Sequence, residues 1–225
     1  MIKESHAYRS CRERIVEIAA DLDSDQLFLS VPACPDWTVT QLLAHLVGVA
    51  EDFAADNLEH AGSQEWTQAQ VDRRSQLTRA EIVEEWESLS RDLEPSLDRI
   101  RPGIAAMVIS DAVTHEHDLR GAVDRPGARN SEALLIALER SVKRFGKRIK
   151  DARLPSVIVR CEDRTWQAGV LTPAVELQGD RFELVRALNG RRTIKEIASL
   201  RWSGDARSYI ELAPSNPPPR VSLSE

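Results

Sequence analysis

Two histidines and two aspartates carry the chemistry that this 225-residue sequence offers: His45 in LLAHLVG, and Asp111, His115 and Asp118 in DAVTHEHD. Asp111 and His115 stand four residues apart, so on a helix their side chains leave the same face one turn from each other, as two ligands from one helix must. Asp118 follows three residues further along that face. His115 falls within the apolar series Ala105, Val108, Ala112 and Leu119, and His45 lies between Leu42 and Val49. Both imidazoles are therefore expected to point into a core. Burying two imidazoles and a carboxylate costs several kcal/mol unless each is paired, and one shared divalent cation satisfies all three. The same spacing also suits a hydrogen-bonded His–Asp pair that fastens two helices, and spacing alone leaves both open.

The remaining reactive side chains carry weaker patterns. His117 is two residues from His115, on the other side of the helix, and it and Glu116 read as packing or solvent-facing residues. His6 and His60 have no partner pattern. Cys34, ahead of the His45 helix, is either a reactive thiol or a small buried residue, and Trp37 reads as a core plug. Asp118 suits either an acceptor that orients His115 or a cap of a local helix turn. Arg191 and Arg192, after Gly190, have the fork geometry that grips a substrate carboxylate, although arginines near a turn are usually only solvated. The other tryptophans, Trp66, Trp86, Trp166 and Trp202, lack the basic interleaving of a base-stacking surface.

These residues need helices to hold them. Tyr8, Cys11, Ile15, Ile18, Ala19 and Leu22 recur at helical spacing over residues 3 to 22. After a loop, VPACPDW, Thr38 and Gln41 form a capping-box signature for a second helix to about residue 58, with Leu42, Leu46, Val49 and Phe53 as its stripe. Residues 62 to 77 are polar and read as loop. Thr78 and Glu81 cap a third helix through Ile82, Trp86, Leu89 and Leu93, and a fourth begins beyond Pro102–Gly103 and ends near Pro126–Gly127. The economical fold for residues 1–125 is a four-helix up-and-down bundle. Beyond it, Ser131 caps a helix to about residue 152, SVIVRCE and RTWQAGV read as strands around an Asp163–Arg164 turn, and AVELQG reads as a third. Short helices FELVRAL and TIKEIASL follow. Residues 126–213 are thus a small α+β domain, making the class α+β, and residues 214–225, PSNPPPRVSLSE, read as a flexible or surface-draped tail.

Composition sets outer bounds. The chain is 42% hydrophobic and 29% charged, ordinary for a globular protein, and its net charge of −6 gives no field to recruit nucleic acid or anionic lipid. A small-molecule partner is expected instead. The N-terminal twenty residues scatter charge and contain no apolar core of signal-peptide length, no later stretch has a membrane span's apolarity, and a cytoplasmic location is expected. Three widely spaced cysteines, Cys11, Cys34 and Cys161, fit neither a disulfide framework nor a CxxC knuckle.

VPACPDWTVTQLLAHLVGV resembles the CPxWTV…xxHL signature of the mycothiol-dependent maleylpyruvate isomerase family, whose bundle is of the DinB-like metal-binding kind. The family's second signature, a carboxylate followed four residues later by HxxD, is matched by Asp111, His115 and Asp118. LQGDRFELVRALNGRRTIKEIASLRWSGD is similar to the α+β domain that accompanies this bundle. The resemblance implies a zinc site on His45, Asp111 and His115 with an open position for water or thiol. It also implies mycothiol or a similar low-molecular-weight thiol as cofactor, and either isomerisation of an unsaturated small acid or thiol transfer to an electrophile. The family usually places a glutamate where Asp111 stands, and the shorter side chain must approach the metal more closely or bind through a different oxygen. A non-catalytic metal- or small-molecule-binding module on the same bundle is the alternative of a different class, and metal-assisted hydrolysis a third, for which no glutamate beside the ligands is an obvious general base.

Overall fold

A computed structural model describes residues 3–162 and 164–225, and the chain divides into two compact units between Gly127 and Ala128. The Asp163 side of the expected Asp163–Arg164 turn lies outside the described residues.

The first unit contains four long helices, α1 (Glu4–Asp21), α3 (Val39–Ala54), α5 (Arg79–Leu97) and α6 (Pro102–Ala122). Between them lie α2 (Ser24–Leu27), β1 (Ser30–Val31), β2 (Cys34–Thr38) and α4 (Gln64–Arg73). α1 packs on α5 and α6, and α3 packs on α4, α5 and α6, so α3 and α6 face each other inside the bundle. Their starts follow from local chemistry. Thr38 and Gln41 exchange hydrogen bonds in a capping box at the head of α3, Thr78 and Glu81 do the same for α5, and Pro102 opens α6 with a φ already set for helix. The core is aliphatic around one aromatic pair: Leu42, Leu43, Ile82, Ile109 and Leu119 are inaccessible, and the buried Trp86 indole donates to Tyr8 Oη at 2.9 Å.

Two segments read as loop have structure. Residues 64–73 form α4, capped by Ser63, whose Oγ accepts from the Trp66 N–H. Periodicity misses this helix because its inward face carries Gln70 beside Val71, not an aliphatic stripe. The VPACPDW stretch contains a small antiparallel ribbon, β1 with β2, turning through Pro32–Ala33 and too short and proline-rich to show alternation.

The second unit is helix and sheet. Its helix α7 (Glu132–Asp151) is capped by Ser131, and β3 (Ser156–Cys161), β4 (Arg164–Ala168), β5 (Pro173–Gln178) and β6 (Arg201–Ser203) make a sheet in the order β4-β3-β5-β6. β3 pairs antiparallel with β4 and parallel with β5, and β5 pairs antiparallel with β6. Helices α8 (Arg181–Leu188) and α9 (Ile194–Ser199) lie between β5 and β6, and a one-turn α10 (Arg207–Ile210) follows. The three-residue β6 and the four-residue α10 were beyond any periodicity. The Pro-rich tail is tied to this unit: the Ser215 N–H donates to the Leu188 carbonyl at 2.9 Å, Asn216 Nδ2 to the Asn189 carbonyl at 3.2 Å, and Ser222 Oγ to Glu196 at 2.6 Å. The architecture is α+β, a helical bundle followed by a small mixed unit. Among the described residues, no helix is long and apolar enough to cross a membrane.

Candidate metal centre

α3 delivers His45 and α6 delivers Asp111 and His115 to the same point inside the first unit. His45 Nε2 lies 3.6 Å from Asp111 Oδ2, and His115 Nε2 lies 3.7 Å from Asp111 Oδ1. The three ligand atoms fall within 4.8 Å of one another, with the two imidazoles edge to face at 5.0 Å. These separations are too long for hydrogen bonds. They match the edges of a coordination tetrahedron instead, since metal–N and metal–O bonds of about 2.0–2.1 Å set ligand atoms roughly 3.4 Å apart.

Hydrogen bonds on the far side of each ring fix where its proton sits. His115 Nδ1 donates to the Asp118 carboxylate at 2.9 Å. His45 Nδ1 is 2.8 Å from Gln70 Oε1, while Gln70 Nε2 donates to Asp52 Oδ2 at 2.6 Å. Asp52 only accepts, so the Gln70 amide presents its oxygen to His45, and His45 Nδ1 is the donor there. Both Nε2 lone pairs are thus left facing a carboxylate. Asp111 Oδ2 is shielded from solvent and accepts no hydrogen bond among the described residues. Three lone-pair donors converging on one point around an unpartnered oxygen are what a divalent cation satisfies, so the residues present fit one.

β2 closes one side. Trp37 packs on both imidazoles, its ring centre 4.8 Å from that of His45 and 6.2 Å from that of His115, so it is a wall of this site and not a plug elsewhere in the core. Cys34 is half-buried, with Sγ 3.7 Å from Asp118 Oδ2, and with His115 and Asp118 it makes a second group of metal-capable atoms. This thiol sits against the site. Sequence spacing missed Gln70 and Asp52, for which no motif or stripe was available.

The other candidates have neighbours of their own. Glu116 is inaccessible, accepting from Arg14 at 2.7 and 2.6 Å, from Arg120 and from the Cys11 thiol, and His117 is buried. Both are packing residues. His60, exposed, faces its neighbour Glu59. Arg191 and Arg192 belong to the second unit, where Arg192 is buried, donates to both Glu183 oxygens at 2.8 and 2.9 Å and stacks on Phe182. The Arg192 fork is thus taken up by an internal carboxylate.

A model of the mycothiol maleylpyruvate isomerase N-terminal domain matches residues 8–166. The chain belongs to this family. The match to the mycothiol maleylpyruvate isomerase domain covers every residue of the cluster and runs into β4. Among solved structures, the chain is similar to the mycothiol-dependent maleylpyruvate isomerase, at 13% identity and TM-score 0.56, and to a histidine-to-alanine mutant of that protein, at 13% identity and TM-score 0.60. Each match covers 98% of this chain and 100% of the other, and at this identity the likeness is one of fold. No curated protein matches the chain.

Proposed function

We propose that the protein is a metal-dependent enzyme that uses a low-molecular-weight thiol, mycothiol or a close analogue, to isomerise an unsaturated small acid. The thiol sulfur adds to one carbon of the double bond, the resulting single bond rotates, and elimination returns the thiol with the other geometric isomer. Thiol transfer to an electrophile shares the first half of this chemistry and is the second reading. The observation that carries the proposal is the convergence of His45 Nε2, His115 Nε2 and the unpartnered Asp111 Oδ2 in one cluster. Family membership supplies the thiol and the reaction class.

His45, Asp111 and His115 would hold a divalent cation, with zinc favoured by the two imidazoles and one carboxylate. Held there, the cation supplies Lewis acidity that lowers the pKa of a thiol at its remaining coordination position and makes a thiolate available at neutral pH. The chain's own residues prepare that position. Asp118 keeps the His115 proton on Nδ1, and Trp37 shields the two imidazoles from one side. The free state of Cys11, Cys34 and Cys161 accords with a reducing cytoplasm, where such a thiol pool exists.

The test is elemental analysis of the purified protein together with a proton-NMR assay of a cis-unsaturated dicarboxylic or keto acid incubated with the thiol. Near-stoichiometric zinc, lost in His45→Ala and His115→Ala, with isomer formed only when metal and thiol are both present, is the expected result. Absence of metal even after reconstitution would overturn the proposal. A thioether product would select thiol transfer, and turnover without thiol would select hydrolysis.

A further inference from the structure

Gly48 lies one turn after His45 in α3, and glycine in a helix interior is a poor choice on propensity alone. Its neighbour explains it. A Cβ at position 48 would overlap Gln70 Cβ and stand 2.5 Å from Gln70 Cγ and 3.1 Å from its Cα. The missing side chain therefore lets α4 close on α3 until the Gln70 amide reaches His45. Gln70 is inaccessible to solvent, as is the aliphatic Val71 beside it, so the helix turns an amide inward at the price of desolvating it.

That amide is fully used. Gln70 Oε1 accepts from His45 Nδ1 and Gln70 Nε2 donates to Asp52, which also accepts from Asn57 Nδ2 at 2.9 Å and from Arg73 Nη2 at 3.1 Å. Arg74, itself buried, ties the end of α4 to its neighbours by donating to Glu51 on α3 and Glu85 on α5. A short helix with few apolar residues is thus fixed at both ends of one glutamine.

We propose that Gln70, admitted by Gly48 and oriented by Asp52, is a positioning residue of the metal centre: it holds His45 in the tautomer whose Nε2 lone pair faces Asp111. The inference rests on the metal reading above and names a residue that no motif in the chain marks. Without the acceptor, His45 is free to carry its proton on Nε2, which cannot ligate, or to rotate away from Asp111.

The test uses the full chain, with Zn2+ affinity read by chelator competition, the visible absorption of the Co2+-loaded protein as a report on ligand geometry, and circular dichroism as a check of fold. Gln70→Leu, which keeps the bulk and removes the acceptor, is expected to bind Zn2+ about 10- to 100-fold more weakly and to change the Co2+ bands. Gly48→Ala is expected to do the same although it leaves both hydrogen-bonding residues in place. The paired exchange Asp52→Asn with Gln70→Glu reverses the polarity of their bond, keeps an acceptor for His45 and should retain most of the wild-type affinity. Wild-type affinity and bands in Gln70→Leu would overturn the inference while leaving the metal centre standing. So would a paired exchange as weak as Gln70→Leu, because bulk or packing, not the acceptor, would then be what matters. If Gln70→Leu fails to fold, Gly48→Ala decides on the same readouts. A wild-type chain that takes up neither metal overturns this inference and the proposed function together.

Discussion

His115 Nδ1 donates to Asp118 Oδ2 at 2.9 Å across one turn of α6, and both residues are buried. A carboxylate so placed leaves the ring one tautomer, with the Nε2 lone pair aimed at Asp111. Cys34 Sγ approaches the same oxygen at 3.7 Å, so Asp118 joins His115 of α6 to the β2 ribbon.

Asp118→Asn separates the two roles open to this aspartate. Its amide cannot hold the ring in one tautomer as a carboxylate does, so metal affinity should fall about 10- to 100-fold with helix content unchanged. Chelator competition measures it, and an unchanged affinity would reduce Asp118 to a support of the local helix turn.

Metal removal should be visible in stability. A ligand that binds only the folded state stabilises it by about 2.7 kcal/mol at 100 times its Kd. Adding Zn2+ to chelator-treated protein should raise the melting temperature of the bundle by on the order of 10 °C. Asp111→Asn keeps the shape of the side chain but removes its charge, and differential scanning calorimetry should find no such shift in it.

The three thiols should differ sharply toward iodoacetamide. Burial pushes Cys11 well up and Cys161 up to about 11, with the Cys161 shift assisted by Glu162, so at pH 8 both are almost wholly protonated. Cys34 alone is half-buried and reachable. Mass spectrometry of the native protein should show a single label, on Cys34, and early labelling at either other position would contradict the arrangement.

Gly146→Ala tests the second unit. Alanine gains about 1 kcal/mol of helix propensity over glycine, but its Cβ would stand 2.7 Å from the Gly169 backbone nitrogen and 3.2 Å from Ala168 Cα. Backbone cannot give way as a flexible side chain can, so overpacking of about 1–3 kcal/mol should win. Calorimetry should show a lower transition for this unit, and an unchanged or higher one would mean that α7 and β4 separate at little cost.

Much of this was legible in the residues themselves. Capping pairs such as Thr38–Gln41 and Thr78–Glu81 are local, so they announce α3 and α5 wherever the rest of the chain goes. The four-residue step from Asp111 to His115 likewise puts two donors on one face of α6 by helix geometry alone. Helix α4 was not legible, because its inward residue is a glutamine whose partners, His45 and Asp52, come from another helix. Trp37 and Arg192 tell the same story: each has a plain local reading, but Trp37 is used by histidines distant in sequence and Arg192 is held by Glu183 of the preceding helix. Sequence determined which side chains could ligate and which helix faces carry them, because period and capping act within a few residues. Only the tertiary structure decided that His45 meets Asp111 and His115, which nitrogen of each ring is left free, and that the proton on His45 is held by an amide from α4, because those facts depend on distances between helices that no local rule contains.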